Sequence, residues 1–340
     1  MEEEAFVEKF HFRPYDGFRR RRLWRLWSIA WFNLTHQWHR SRVLKIVIAL
    51  ILLILLLSNL TLLTGIDWLL ETKTANEILE DHVWGTIRNF VRFQVMIASP
   101  NEVNPVFDTG YSIIMLIGLI IFGAGLISDD LMNKVMEVYD SRISRNEYLI
   151  GKYGALILFG NILFTLPCIL EWILAAVGIN GVDIIAALPI LLGVIVFTEV
   201  LILVLTSFIL TFSSLTQRRL YAGLFTFLFF LAIATIRSAL VGSPETFSPI
   251  MYLDFFTVLS VFSFMLQGEK EVIYYDTTIS GANFSLSLDL TGLAGILIIP
   301  MILFFVFASL TICSFQLTWK RSLSWRFWKR VPSIGKKKNS

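Results

Sequence analysis

Six apolar runs, at 44–66, 110–128, 153–178, 184–212, 221–241 and 292–317, constrain this chain more than anything else in it. A helix rises ~1.5 Å per residue and needs about 20 mainly apolar residues to cross a hydrocarbon layer of roughly 30 Å. Each run reaches that length. A soluble core has no use for so many, and 56% hydrophobic against 16% charged residues over 340 positions is the balance of a polytopic membrane protein. The expected fold class is an all-α polytopic membrane protein with six transmembrane helices. The first run follows a long charged segment and lacks a small-residue cleavage pattern, so it is expected to stay as a span and not to be removed as a signal peptide.

Charge fixes the direction. Ten Lys/Arg precede or include Lys45, and eight follow Leu317 without an acid. Cytoplasmic flanks collect such charge, so both termini are expected inside and the number of spans is expected to be even. A seventh candidate, Ile250 to Leu266, is about 17 residues long and carries Asp254, short of the usual spanning length. Parity makes it an extracellular re-entrant or amphipathic helix before span 6, covered by protein where it dips. The loops at 67–109, with seven acids, and 242–291, with six, then lie outside, and the 129–152 insert lies inside. Three regions result: 1–43 as a cytoplasmic N-terminal segment, 44–317 as the transmembrane domain, and 318–340 as a basic cytoplasmic tail.

Within the first region Trp24, Trp27, Trp31, Leu34 and Trp38 recur at spacings of three and four, which places them along one side of a helix. Indoles at headgroup depth with arginines towards lipid phosphate describe an interfacial membrane anchor.

Sites for chemistry are scarce. No G-x-x-x-x-G-K-[ST] loop occurs; Gly151-Lys152 and Gly335-Lys336 lack the upstream glycine and the following hydroxyl. Neither G-x-S-x-G nor H-E-x-x-H is present. Cys168 and Cys313 lie in apolar runs, and His11, His36, His39 and His82 form no ligand set with them. The expectation is a chain that is not an enzyme, holds no metal or cofactor of its own and has no nucleic-acid partner. Glu171, Glu199 and Arg237 fall inside the apolar runs, where a charge costs about 2.5–3.5 kcal/mol or more and must face protein or water. Counting ~1.5 Å per residue, Glu171 and Arg237 sit at similar depth below the outer ends of their runs, so they can pair. Two readings stay open for these residues: contacts that hold helices together, or the lining of a substrate path.

The insert "ISDDLMNKVMEVYDSRISRNEYLIGK" is too long for a tight turn and too densely charged for a span. Its acids and bases surround Val135, Met136, Val138 and Tyr139, the pattern of a short helix that docks on another protein. It resembles the segment after the second span in type 2 ATP-binding-cassette (ABC) permeases, close to "DEREKGTLELLLSRPISRREYLLGK". Asp129 and Asp130 fall on the acidic start and Glu137 on the core glutamate. Ser144, Arg145, Glu147, Tyr148, Leu149, Gly151 and Lys152 fall on the closing "SRxEYLxGK". The Trp-rich helix ending in "HRSRVLKIVIAL" and "SPIMYL" also look like this family, most of all its multi-copper-enzyme-maturation branch. Lys134-Val135 and Arg142 depart from its usual Gly-Thr and Pro. The resemblance implies a transport permease, expected to be an exporter, and the lack of a cleaved targeting segment makes the plasma membrane its expected location. It also implies a dimer with a second permease subunit of the same or another chain, and a cytosolic ABC ATPase subunit that holds the ATP and Mg. The coupling contact would involve Asp129, Asp130, Glu137, Arg145, Glu147, Tyr148 and Lys152. Two other classes compete: an ATP-independent channel or ion-coupled carrier built on Glu171, Glu199 and Arg237, and a membrane scaffold that recruits a cytosolic protein.

Overall fold

The computed structural model describes residues 22–91, 110–133, 144–241, 255–268, 271–279, 282–289 and 293–330. In chain order these form α1 (Arg22–Arg40), α2 (Arg42–Leu70), α3 (Ala75–Val91), α4 (Gly110–Met132) and α5 (Arg145–Gly160). A π-turn (Asn161–Thr165) joins α5 to α6 (Leu166–Gly178), and α7 (Ile184–Leu215), α8 (Arg219–Val241) and α9 (Phe255–Leu266) follow. The strands β1 (Glu271–Ile279) and β2 (Ala282–Asp289) precede α10 (Leu293–Arg330).

Five segments among the described residues are long and apolar enough to cross a membrane: Arg42–Ile66, Ile114–Met132, Asn146–Gly178, Ile184–Leu215 and Ile296–Leu317. They mark a multi-pass helical membrane protein. A shorter apolar stretch, Arg219–Ile233, belongs to α8, whose backbone stays helical to Val241. Helix α10 continues to Arg330, so the basic tail begins as a prolongation of the last helix.

Caps and turns set the boundaries. Ser41 breaks α1 from α2 and accepts from Leu44 N, and Asp183 opens α7 by accepting from Ile185 N and Ala186 N. Pro167, lacking an N–H, stands just after the π-turn, where the ladder of the third span is already interrupted. Helix α7 is the centre of the bundle, buried from Ala187 to Ser214 along one side and packed against α3, α4, α5, α6, α8, α9 and α10. Helices approach closely at glycines, as small residues allow where no hydrophobic force acts between spans. A Cβ on Gly123 would stand 2.5 Å from Ile209, and one on Gly160 2.7 Å from Ile202.

Two shorter helices fold back against α7. Helix α9, at 12 residues only about 18 Å long, runs antiparallel to it: Leu266 lies by Gly193, Phe262 by Phe197 and Phe255 by Phe208. Phe255, Phe256, Val258, Leu259 and Val261 are buried, the first two among Phe208, Phe230 and Phe305. Helix α3 starts level with α7, where Asp183 N donates to Asn76 Oδ1, and packs Trp84 against Gly193. The stretch expected as a polar outer loop thus contains a helix turned into the bundle, held by Ile78, Leu79, Val83 and Trp84.

The described residues are helical apart from one antiparallel hairpin, in which Glu271 pairs with Asp289 and Ile279 with Ala282, with an irregularity between Ile273 and Tyr275. This hairpin lies in the segment between α9 and α10, for which no strands were expected.

Candidate functional site

The closing part of the insert builds a buried polar junction between three helices. Ser144 caps α5 by accepting from Glu147 N at 3.3 Å, which turns the following residues into a helix whose first turn faces α1 and α4. Lys152, 3% exposed, reaches two ways: its Nζ is 2.7 Å from Asp130 Oδ2 on α4 and donates to Asn33 Oδ1 on α1 at 2.7 Å. Tyr148 OH donates to the same Asp130 oxygen at 2.7 Å, and the Tyr148 ring lies under the ammonium at 5.3 Å. Arg25 Nη2 of α1 donates to Glu147 Oε1 at 3.2 Å. Glycine at 151 lets the helices touch: a Cβ there would stand 2.6 Å from Ile29 Cγ2.

Helix α1 therefore packs on this chain's own α5, running the same way along it from Arg25–Glu147 to Asn33–Lys152. Ala30, Leu34 and Gln37 form the inner face, while Trp24, Trp27 and Trp31 stay 60%, 49% and 52% exposed beside Leu23 and Phe32. Leu34 belongs to the protein face and not to the tryptophan face, and Trp38 is half-buried, with Lys45 Nζ 6.0 Å from its ring. Arg25 points to Glu147, contrary to the expectation that the helix's arginines all face lipid.

Of the expected coupling residues, Asp130, Glu147, Tyr148 and Lys152 are brought together in this junction. Glu147, Tyr148 and Lys152 are turned inward at 5%, 2% and 3% exposure. Asp129 is half-buried on α4, near where Arg219 passes Gly125 to donate to Ile121 O. Arg145 is the first residue of α5, and its side chain lies outside the described residues, as does Glu137 altogether.

The intramembrane set does not converge. Glu171 on α6 is fully buried, and its neighbours are Asn59 of α2 with His82 and Thr86 of α3. Asn59 Nδ2 donates to Oε2 at 2.6 Å, Thr86 Oγ1 to Oε1 at 3.4 Å, and His82 Nε2 is 2.7 Å from Oε1. The Arg237 side chain lies outside the described residues, so the proposed pairing with Glu171 has no described counterpart. Glu199 is half-buried on α7. Nothing in the sequence reading linked Asn59, His82 or Thr86 to Glu171. Two signals were present: an asparagine in the middle of an apolar run, and His82 and Thr86 one helical turn apart.

Compared with known proteins, the chain matches no family model and no curated protein.

Proposed function

We propose that this chain is the permease subunit of an ATP-driven exporter, six spans with both ends cytoplasmic in the plasma membrane, paired with a second permease subunit and driven by a separate cytosolic ATPase. The observation that carries the reading is the junction at the base of the insert. Partly buried ion pairs and hydrogen bonds join α4 and α5, the helices that flank the insert in sequence, to each other and to α1, so a push on the insert would move two spans and the aromatic helix together. The exposed Trp24, Trp27 and Trp31 suit a helix that floats this unit at the cytoplasmic interface. Glu147, Tyr148 and Lys152 act as positioning residues, and the partner contact falls to Glu137, Arg145 and Asp129. In this reading α3 and α9 are re-entrant from the outer side, as an even number of spans requires. An ATPase shifts the permease only as far as it binds one of its conformations better than the other.

Charge reversal at Arg145 tests this in membranes containing the co-purified ATPase. The expected result is loss of permease-stimulated ATP hydrolysis at unchanged membrane abundance. Unchanged stimulation in Arg145→Glu and Glu137→Lys together would overturn the reading. The buried Glu171 cluster favours a second reading, an ion-coupled carrier, which transport into vesicles without ATP would establish.

A further inference from the structure

We propose that His82 and Glu171 form a proton-binding site that holds α3 in the bundle, the ligand being one proton taken from the aqueous phase at the α3 end of the molecule.

Charge decides the assignment. Glu171 has no exposed side-chain surface and sits within a membrane-spanning segment, where a lone carboxylate is costly. Asn59 and Thr86 give it hydrogen bonds but no compensating charge. His82 is the one neighbour among the three that can carry a positive charge. Its Nε2 stands 2.7 Å from Oε1, yet the ring nitrogen is not aligned as a hydrogen-bond donor. A neutral ring gains little from such an approach, whereas an imidazolium gains from charge alone, most of all away from water. The two residues differ in access: Glu171 has none, whereas the His82 side chain is 14% exposed although its Nε2 is buried, so a proton reaches the pair through the exposed edge of the imidazole. The added proton forms an N–H bond on the ring and makes the pair neutral overall. Its loss leaves an uncompensated carboxylate facing a neutral ring, and α3 is then held by Ile78, Leu79, Val83 and Trp84 without an ion pair.

Among the described side chains, the other charged groups are otherwise engaged or remote; those of Arg88 on α3 and Arg237 on α8 lie outside the described residues. On α3 and its leading turn, Glu77 accepts from Thr74 N and Asp81 holds Lys73, while Glu80 has its own partner. Helix α6 adds the buried Cys168 one turn before Glu171. Helix α7 carries Asp183 at its start and Glu199. On α2, Arg42 and Lys45 lie at the end away from Glu171, while Asp67 stands towards the α3 end with its side chain outside the described residues; the charges of α4, Asp129 and Asp130, are at its far end. Helix α9 has none among its described residues.

The test is hydrogen exchange of the α3 amides in the full-length chain in lipid nanodiscs, corrected for intrinsic rate, at about pH 6 and about pH 8.5 on either side of histidine's ordinary range. The wild type is expected to open roughly tenfold more often at the higher pH, the order of effect that losing one close charge pair away from water supplies. His82→Gln and Glu171→Gln should lose that response, and His82→Lys, a permanent cation, should keep α3 closed at both values. Equal opening of the wild type at the two pH values overturns the site, as does a full response in Glu171→Gln. Only the side of proton entry rests on the orientation proposed above. In sealed right-side-out vesicles the response should follow the external pH; a response to the internal pH instead overturns that orientation and leaves the site standing.

Discussion

Replacing Lys152 by methionine removes one charge from the centre of the junction while nearly preserving side-chain length. Its ammonium contacts Asp130 and Asn33 at 2.7 Å each and lies over the Tyr148 ring, with a side chain 4% exposed. The variant leaves Asp130 with the Tyr148 hydroxyl alone and strips Asn33 Oδ1 of its donor. Breaking a buried pair from one side costs about 3–5 kcal/mol, because the surviving charge is left uncompensated. The pair itself is worth far less than that, since both ions were desolvated to make it. The double variant Lys152→Met with Asp130→Leu should therefore recover at least half of the loss. Unfolding of the full-length chain in mixed detergent micelles, followed by helical circular dichroism, reads both values. A single variant within about 1 kcal/mol of wild type, or a double variant no better than the single one, would refute the claim that the pair is buried and coupled.

Gly151→Val should destabilise by about 1–3 kcal/mol through overpacking, because its Cβ lands on Ile29; Ile29→Ala in the same chain should relieve it in the same unfolding assay. The start of α3 should loosen in acid. Glu77, which accepts from Thr74 N at 2.8 Å, is held below the usual carboxylate range first by that backbone donor and then by the Thr74 hydroxyl. A depressed carboxylate stabilises above its unfolded value and loses that contribution as pH falls through its folded one. Hydrogen exchange of the first-turn amides should thus rise below about pH 4 in wild type and show no such change in Glu77→Ala. Lys73 behaves oppositely: Asp81 raises it, so their link fails only as pH climbs through the raised lysine value.

How much of this could be read beforehand depends on the kind of signal. Apolar length alone places α2, α4, α7 and the apolar part of α10, because hydrocarbon thickness is a one-dimensional constraint. The exposed tryptophans of α1 followed from helical spacing, whereas Leu34 and Arg25 turned inward because α5 packs there, a contact invisible in a local period. Asp130 meets Lys152 because α4 and α5 are antiparallel neighbours around the insert. Helix α3 was hidden by the charge of its surroundings: seven acids between 67 and 109, three of them on the helix, read as solvent-facing, although Ile78, Leu79, Val83 and Trp84 already had helical spacing. The hairpin was also legible, since "ANFSLSLD" alternates and Ser280-Gly281 precedes it.

The insert is proposed to lie beneath the membrane, where an ATPase can push on it. A single cysteine placed at Lys134, in a chain whose Cys168 and Cys313 are both buried, can be probed with a membrane-impermeant thiol reagent. Labelling is expected only after the cells are permeabilised. Labelling of intact cells would put the insert outside and contradict this placement.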